Sequence, residues 1–270
     1  MAFRINGFGG AQDSKTPSVA VEPEQRTIVP RKSIVQIHFP GRGMELSYYN
    51  DLFDLKIGDR VYVEGKMEGL IGYVMDIHYS FKIKLSDYKK VIAVIDTNVH
   101  GQFYMTGSHF ITFDPSVIPA TQITSWFKAP SADEEYVTGD EENSFQLDNL
   151  AGMNVSGAIA ERGHKYYIEN RVRYLCLKGI HGYAIVEGSE SYIVEFEYQD
   201  GEIRNLVCEC PCGYPCKHEF ATMLQLRETL DKIEKSYAQE FKQTEYFAAI
   251  CKGTLFSFAV ADNDTGSLVI

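Results

Sequence analysis

The chain has 270 residues, of which 44% are hydrophobic and 13% aromatic, so it can build the cores of one large or two ordinary domains. Its 26 basic and 37 acidic residues give a formal net charge of −11, which argues against a protein whose main task is to coat phosphate backbones. Residues 1–10 lack the apolar stretch of a secretory signal and no long apolar run follows, so we expect a cytoplasmic protein outside the membrane.

Much of the acidity lies in one short segment. Residues 129–149 carry seven carboxylates and no base, whereas residues 31–128 carry 11 basic and 10 acidic groups and residues 150–235 carry 10 and 13. Self-repulsion keeps such an acidic run extended, so we interpret residues 129–149 as a linker between two near-neutral domains. Residues 1–30 are polar and interrupted by glycine and proline, which predicts a flexible arm with at most one short strand.

Residues 31–128 have the pattern of an all-β domain. Short runs of β-branched and aromatic residues are separated by glycine-containing turns, of which Gly58 with Asp59 is the clearest. The runs cover residues 34–39, 61–63, 69–74, 79–85, 91–95 and 103–113. We expect a small barrel or sandwich in the style of SH3 or OB domains, with a helical turn at residues 121–128.

Residues 150–235 predict a second domain that contains both helices and strands, which makes the fold class α+β. Ser156 is placed to cap a helix that runs through Tyr167 in spite of Gly163. Strands are predicted at residues 172–177, 182–187, 192–198 and 203–208, the last two joined by an Asp-Gly turn at residues 200–201.

The C-terminal part of the chain returns to a helical pattern. Apolar residues recur near a 3.6-residue period from His218 to beyond Leu230, which predicts a helix there. The C-terminal segment is residues 236–270, and within it residues 244–270 are predicted to form a short helix followed by a β-hairpin across residues 263–266.

Four of the six cysteines lie between residues 208 and 216, and a histidine follows at position 218. Clustered thiols in a reducing compartment favour metal binding over disulfides. Residues i and i+2 of a strand face the same side, so Cys208 and Cys210 can converge on one ion, and Cys216 and His218 at the start of the helix supply the second pair. Four protein ligands complete a tetrahedron, which indicates one structural Zn²⁺ rather than a hydrolytic centre with a position for water.

Cys212 leaves the ligand set open. A set of Cys210, Cys212, Cys216 and His218 has only three residues between its two pairs, whereas the set that begins at Cys208 has five. We favour the set with Cys208 because its longer loop closes more easily, and Cys212 is then a spare thiol or an alternative ligand.

The cluster and its surroundings carry a family resemblance. The order Cys208-x-Cys210, a short spacer and Cys216-Lys217-His218 before an apolar helix resembles the SWIM zinc finger, whose pattern is C-x-C, a variable spacer and C-x-H. Residues 160–167 and 170–172 are similar to the segment that precedes the finger in bacterial members.

The resemblance covers about residues 150–235 and implies a ββα zinc-finger domain flanked by a helix and strands. Such a module implies DNA binding or protein–protein interaction. Because no Walker A or helicase motif accompanies the finger, an ATPase role is not expected.

Two functions compete. The first is DNA binding through the finger domain, for which the candidate residues are Arg162, Lys165, Arg171, Arg173 and Lys217. The aromatic residues of the β domain could add base stacking if exposed, although most are expected in the core; they are Tyr48, Tyr49, Tyr62, Tyr73, Tyr79 and Phe81. The alternative is an adaptor that binds another protein and uses zinc for structure alone.

An enzymatic function is not expected. The β domain contains His38, His78, His100 and His109, and a histidine among strands is more often a hydrogen-bonded structural residue than a catalyst. No nucleophile has a recognisable base, and no small-molecule substrate is indicated.

Overall fold

A computed structural model describes residues 2–5, 30–128, 144–212, 215–260 and 268–269 of the chain. The strands are β1 (Ala2–Ile5), β2 (Ser33–Phe39), β3 (Met44–Asn50), β4 (Arg60–Val63), β5 (Gly72–His78), β6 (Val91–Ile95), β7 (Gly101–Thr106), β8 (His109–Thr112), β9 (Phe145–Gln146), β10 (Val172–Lys178), β11 (His181–Glu187), β12 (Ser191–Gln199), β13 (Glu202–Cys208), β14 (Tyr246–Cys251) and β15 (Leu268–Val269). The helices are α1 (Ala120–Phe127), α2 (Gly157–Ile168), α3 (Lys217–Ser236), α4 (Ala238–Thr244) and α5 (Lys252–Leu255).

The strands form two antiparallel sheets, one in each of two compact units. The smaller unit contains residues 30–97 and Lys128, and its sheet has the order β3-β2-β5-β4-β6. The larger unit contains the other described residues, and its ten-stranded sheet has the order β15-β1-β7-β8-β14-β10-β11-β12-β13-β9. The combination of two sheets with helices agrees with the predicted mixture of α and β structure.

The sheet of the smaller unit is open, which corrects the predicted barrel or sandwich. Its core is the alternating apolar face of β2, where Val35 and Ile37 are fully buried, together with Val61 and Val74 from the neighbouring strands. Instead of a continuous ladder, one isolated parallel bridge among the described residues links Tyr49 of edge strand β3 to Lys90, which directly precedes edge strand β6. A single bridge does not close a barrel, in which every strand pairs on both sides.

Two predictions in this unit differ from the structure. Residues 79–85 form a loop that ends in a 3₁₀ turn at Leu85–Asp87 instead of a strand. The alternation of Phe81, Lys82 and Ile83 imitates a strand pattern, but the described sheet offers this segment no partner. Strand β3 was not predicted, although it pairs with β2 along its whole length.

Residues 103–113 were predicted as one strand run and form the hairpin of β7 and β8. Gly107, with φ of +52°, lies in the turn between them. Both strands belong to the ten-stranded sheet of the larger unit, where β8 pairs with β14. Helix α1 follows them at the place where a helical turn was predicted.

The prediction for the C-terminal region requires a correction. The segment after Thr244 forms β14, a fully buried strand between β8 and β10, instead of a helix. A short apolar run such as this one is compatible with a buried strand and with a helix, so the local pattern does not decide between them. The hairpin predicted across residues 263–266 lies outside the described residues.

The predicted arm and acidic linker are described in part. Residues 2–5 form β1, which pairs with β7, and residues 6–29 lie outside the described residues. Residues 129–143 also lie outside them. At the end of the predicted linker, Phe145 and Leu147 are buried in the core of the larger unit, where β9 pairs with β13.

Helix α3 packs on the ten-stranded sheet and positions the cysteine cluster. Its apolar face, which includes Met223, Leu226 and Ile233, is buried against the same core as Val194 and Phe196 of β12. Strands β12 and β13 precede α3 in the chain, as the resemblance to a ββα module implies. Their hairpin is continuous with the ten-stranded sheet, so it does not form a small separate finger.

Candidate metal centre

The four favoured ligands come from the end of one strand and the start of one helix. Cys208 is the last residue of β13, Cys216 is the N-cap of α3, and His218 is the second residue of that helix. Cys210 lies in the connecting loop, two residues beyond the strand. Because core packing fixes both β13 and α3, the loop needs to bring only Cys210 into position.

The ligand atoms of these four residues converge. The three Sγ atoms and one ring nitrogen lie within 4.8 Å of one another. His218 Nδ1 is 3.7 Å from Cys208 Sγ and 3.7 Å from Cys216 Sγ. Tetrahedral zinc, with bonds of about 2.3 Å to sulfur and about 2.0 Å to nitrogen, separates such atoms by about 3.6 Å. The cluster therefore fits a tetrahedral metal ion and could hold one.

Burial distinguishes the cluster from the remaining cysteine of this region. Cys210, Cys216 and His218 expose 7%, 2% and 3% of their surfaces, and Cys208 is half-buried. Cys212 is exposed and lies outside the cluster, and its backbone N–H donates to the carbonyl of Cys210 at 2.8 Å. The converging residues are those of the ligand set that begins at Cys208.

The imidazole of His218 is held by its neighbours in an orientation that directs Nδ1 towards the sulfur atoms. Its ring stacks on Tyr192 of β12 at 4.6 Å between ring centres, with 24° between the planes. On the opposite edge, Nε2 is buried without a hydrogen-bond partner among the described residues. A Cβ added to Gly188 would lie 3.0 Å from Nε2, so the glycine leaves the space that the ring needs.

Glu219 fixes the start of α3. Its carboxylate accepts a hydrogen bond from the backbone N–H of Cys216 at 2.6 Å, and the Cys216 side chain accepts one from the Glu219 backbone, which completes a capping box. Burial, together with the charge of Cys216, raises the pKa of Glu219 to about 8. The box orders the first turn of α3, which carries two of the four ligands.

Burial and mutual hydrogen bonding shift the pKa values of the clustered thiols in different directions. A hydrogen bond between Cys208 and Cys216 raises the pKa of Cys208 and lowers that of Cys216. Burial raises the pKa of Cys210 to about 12. Because zinc binds thiolates, a metal ion that binds at this cluster must displace the protons of the thiols whose pKa is raised.

The charge of the loaded site would be compensated by its surroundings. Three thiolates, a neutral imidazole and a divalent zinc ion sum to −1, and the N-terminus of α3 contributes a partial positive charge. Two cations lie over the ring of Tyr166 beside His218, namely the Lys217 ammonium at 4.9 Å and the Arg171 guanidinium at 4.8 Å from its centre.

Helix α2 brings Tyr166 to this place by a close crossing with α3. Ser156 caps α2 as predicted, and its side chain accepts from the N–H of Ile159 at 3.4 Å. Gly163 is buried at the crossing, where a Cβ would lie 2.8 Å from Phe220 Cβ and 3.0 Å from the carbonyl oxygen of Lys217. The glycine, a weak helix former, thus permits the approach of α2 to the ligand-bearing turn of α3.

Of the basic residues predicted to bind nucleic acid, the two arginines of the β10 region are engaged in ion pairs. Arg171 pairs with Glu169 at 2.6 Å, and this pairing raises the pKa of Arg171. Arg173 pairs with Glu187 and also contacts the sulfur of Cys251 on β14.

The remaining basic candidates are more accessible. Lys165 is exposed and 3.8 Å from the carboxylate of Glu169, a separation at which an exposed pair contributes little. Arg162 is exposed and donates to the carbonyl of Ala158 in its own helix at 3.1 Å. Together with Lys217, they give a modest basic face on α2 and the start of α3.

Three residues that shape the centre were not predicted as part of it. Glu219 matches the N3 position of a capping box, which the sequence pattern alone could have indicated. Tyr192 and Gly188 lie 16 or more positions before Cys208 and reach His218 only through the fold of β11 and β12. No local sequence signal connects them to the metal ligands.

Of the six aromatic residues named in the β domain, three are buried, two are half-buried and one is exposed. Tyr48, Tyr49 and Tyr62 are buried, whereas Tyr79 is 39% exposed. His109, assigned in the sequence to the β domain, is buried in the larger unit, where its Nε2 lies 2.8 Å from the carbonyl oxygen of Val172.

No family model, curated protein or solved structure matches the chain. Within the described residues, no helix is both long enough and apolar enough to cross a membrane.

Proposed function

We propose that the protein is a metal-stabilised binding protein of the SWIM type, in which Cys208, Cys210, Cys216 and His218 hold one structural zinc ion. The observation that carries this proposal is the convergence of the four ligand atoms within 4.8 Å. Three thiolates and one imidazole are a ligand set that suits zinc in a reducing compartment. The order of C-x-C at a strand end and C-x-H at a helix start adds the resemblance to a SWIM finger.

The proposed role of the metal is structural because four protein ligands occupy the whole tetrahedron. A catalytic zinc ion keeps one position for water or substrate. The ion would tie the end of β13 to the first turn of α3. The apolar face of α3 is buried in the core, and of the four cluster residues only the partly buried Cys208 packs against that core, so removal of metal should open residues 208–218 locally and leave the rest of the helix folded.

Metal analysis of two matched variants tests the centre. We expect about one zinc per chain in the wild type and in Cys212→Ser, which removes the exposed thiol, and almost none in Cys216→Ser. Hydrogen exchange after chelation should increase in residues 208–218. Full zinc content in Cys216→Ser, or unchanged exchange and thermal melting after chelation, would contradict the structural role.

We further infer that the protein binds DNA, with Arg162, Lys165 and Lys217 as contacts of the finger domain. Arg162 and Lys165 are exposed on α2, and the half-buried Lys217 lies between two of the proposed zinc ligands, whereas Arg171 and Arg173 already have carboxylate partners. Exchange of Arg162 and Lys165 for glutamate should weaken binding to mixed-sequence DNA, and salt should weaken the wild type. Equal affinity of the variant and the wild type would show that the basic face on α2 and the start of α3, called the finger face, does not contact DNA.

A protein-binding adaptor is the second candidate function, and one surface feature favours it. The outer face of α2 forms an open groove whose lining combines apolar, acidic and basic side chains; these are Ala158, Glu161, Arg162, His164, Lys165 and Ile168. Ile168 is 59% exposed. A mixed surface of this kind suits a polypeptide better than a phosphate backbone, so absence of DNA binding at low salt would favour the adaptor.

A further inference from the structure

One end of the five-stranded sheet gathers residues from three separate parts of the chain. In the ladder, Ile34 near the start of β2 pairs with His78 at the end of β5 and with Tyr49 near the end of β3. Arg31 and Lys32 immediately precede β2, and the residues that follow β5 therefore emerge beside them.

Direct contacts agree with this register. The guanidinium of Arg31 lies 4.2 Å from the centre of the Tyr79 ring, which follows β5. The ring of Phe81 meets that of Tyr49 edge-on at 6.2 Å. The carbonyl of Lys89 accepts a hydrogen bond from the backbone N–H of Tyr49 at 2.9 Å. The segment from Tyr79 to Lys89 thus leaves the sheet and returns to it at the same end.

The segment and its neighbours are rich in exposed cations. Residues 79–90 contain four lysines and one acidic residue, Asp87. Lys82 and Lys84 are exposed, whereas Phe81 and Ile83 are half-buried, so the two lysines lie on the solvent side of an alternating run. Tyr79 is 39% exposed and stands among these cations.

Most of these cations have no carboxylate partner in the part of the chain that the structure describes. Lys90 is the exception, since it pairs with Asp51 at 3.0 Å. The unpaired set, together with Tyr79, is called the sheet-end basic surface; it consists of Arg31, Lys32, Tyr79, Lys82, Lys84 and Lys89. The surface contrasts with the finger domain, where Arg171 and Arg173 are each paired.

We propose that the sheet-end basic surface binds single-stranded nucleic acid, with its five cations on phosphates and Tyr79 stacked on a base. Unpaired cations beside an exposed aromatic ring are the combination that recognises flexible single strands. A duplex keeps its bases stacked internally and gives Tyr79 nothing to stack on. The inference rests on the proposed nucleic-acid function but assigns a contact to the smaller unit, which carries no metal ligand.

The salt dependence follows from the number of cations. Each phosphate that is neutralised on a single strand contributes about −0.7 to the slope of log affinity against log salt, so five contacts give about −3.5. Between 50 and 200 mM salt this slope corresponds to a loss of about 100-fold in affinity. Loss of one stacked base corresponds to a loss of about tenfold.

The test uses the full chain and a fluorescein-labelled 20-nucleotide oligo-dT, with anisotropy measured from 50 to 200 mM salt. Lys82→Glu/Lys84→Glu should weaken binding at least tenfold and reduce the slope by about 1.4. Lys232→Glu/Lys242→Glu makes the same charge change at exposed positions of α3 and α4 and is the matched control. Tyr79→Ala should lose about tenfold, and Tyr79→Phe, which keeps the ring, should bind as the wild type does.

The outcomes separate this inference from the finger proposal. Weakening by Lys82→Glu/Lys84→Glu but not by Arg162→Glu/Lys165→Glu supports the inference and removes the finger face. The reverse pattern overturns the inference and leaves the finger proposal standing. If Lys232→Glu/Lys242→Glu loses as much affinity for oligo-dT as Lys82→Glu/Lys84→Glu does, the effect is one of general charge and the inference is overturned.

A poly-glutamate peptide and the Tyr79→Ala variant together test whether the surface binds acidic protein segments instead of nucleic acid. If a poly-glutamate peptide of similar length binds as tightly as oligo-dT and Tyr79→Ala has no effect on either, the surface recognises acidic protein segments and the inference is wrong. Equal affinity for oligo-dT and for a 20-base-pair duplex also overturns the preference for single strands. Zinc content, measured separately, reports on the metal centre in every variant.

Discussion

Gly163→Ala probes whether the close crossing of α2 and α3 supports the metal centre. In an isolated helix the change would be favourable, because alanine has a higher helix propensity than glycine by about 1 kcal/mol. In the protein the new methyl group would meet Lys217 and Phe220 in the first turn of α3, which also carries His218 and follows Cys216. The two effects have opposite signs, so the measured sign tests the packing.

The contacts of the added methyl group set the size of the expected loss of stability. The added Cβ would lie 2.8 Å from Phe220 Cβ, 2.9 Å from Phe220 Cδ1 and 3.0 Å from the carbonyl oxygen of Lys217. Two of these contacts involve a carbonyl oxygen and a Cβ, which cannot move away by a side-chain rotation. Overpacking of this kind costs about 1–3 kcal/mol, so after the propensity gain we expect a net destabilisation of about 1 kcal/mol.

Gly157→Ala in the same helix is the matched control. No atom lies within 4 Å of a Cβ at this position, so the change should stabilise the protein by about 0.5 kcal/mol. Urea denaturation measures both free energies of unfolding, and chelator competition measures zinc affinity, which should fall in Gly163→Ala alone. Equal stabilisation by both substitutions would refute the proposed helix crossing.

Two further predictions concern single residues. Gly188→Ala should weaken zinc binding by about tenfold, measured by chelator competition, because the methyl group would lie 3.0 Å from His218 Nε2 and displace the ring; unchanged affinity would contradict this. Burial lowers the pKa of His109 below its ordinary value of 6.5, so the unfolded state takes up a proton first as pH falls. The free energy of unfolding should therefore decrease below about pH 6.5, by at most about 1.4 kcal/mol per pH unit from this group. His109→Gln should flatten this decrease in urea titrations, whereas the exposed His164→Gln should not.

The metal cluster was predictable because its ligands are local in sequence. Cys208 through His218 span eleven residues, and the two pairs are placed by the end of a strand and the start of a helix, both of which have their own sequence patterns. Metal ligands of this type also leave a compositional signal, since packing alone gives no reason to collect four cysteines in nine residues.

Strand β14 and the open sheet of the smaller unit were not predictable in the same way. The six residues Tyr246–Cys251 form an apolar run that suits a helix and a buried strand equally. The strand forms because β8 and β10 offer hydrogen-bond partners on both sides of this segment. These two strands precede it in the chain by about 140 and about 70 positions. Whether the sheet of the smaller unit closes into a barrel also depends on long-range pairing, namely between its two edge strands.

For the candidate nucleic-acid-binding residues, too, the sequence and the fold contribute different information. The sequence identified Arg171, Arg173, Lys165 and Lys217 as cations near the cluster, but a formal charge gives no information about its partner. Arg171 pairs with its near neighbour Glu169, and the pairing of β10 with β11 brings Arg173 to Glu187. Among the described residues, the lysines of residues 79–90 other than Lys90 have no carboxylate partner and lie on the same segment as Tyr79. Which cations are accessible was therefore decided by the fold.

The sequence by itself determined the elements around the cysteine cluster and the four residues that converge in it, because capping, periodicity and residue spacing act over a few residues. The tertiary structure decided the rest of the centre. Tyr192, Gly188 and Gly163 reach His218 and the first turn of α3 from distant positions, and no local pattern encodes such contacts. Long-range strand pairing and helix crossing are cooperative properties of the whole core, so they appear only when the chain is folded.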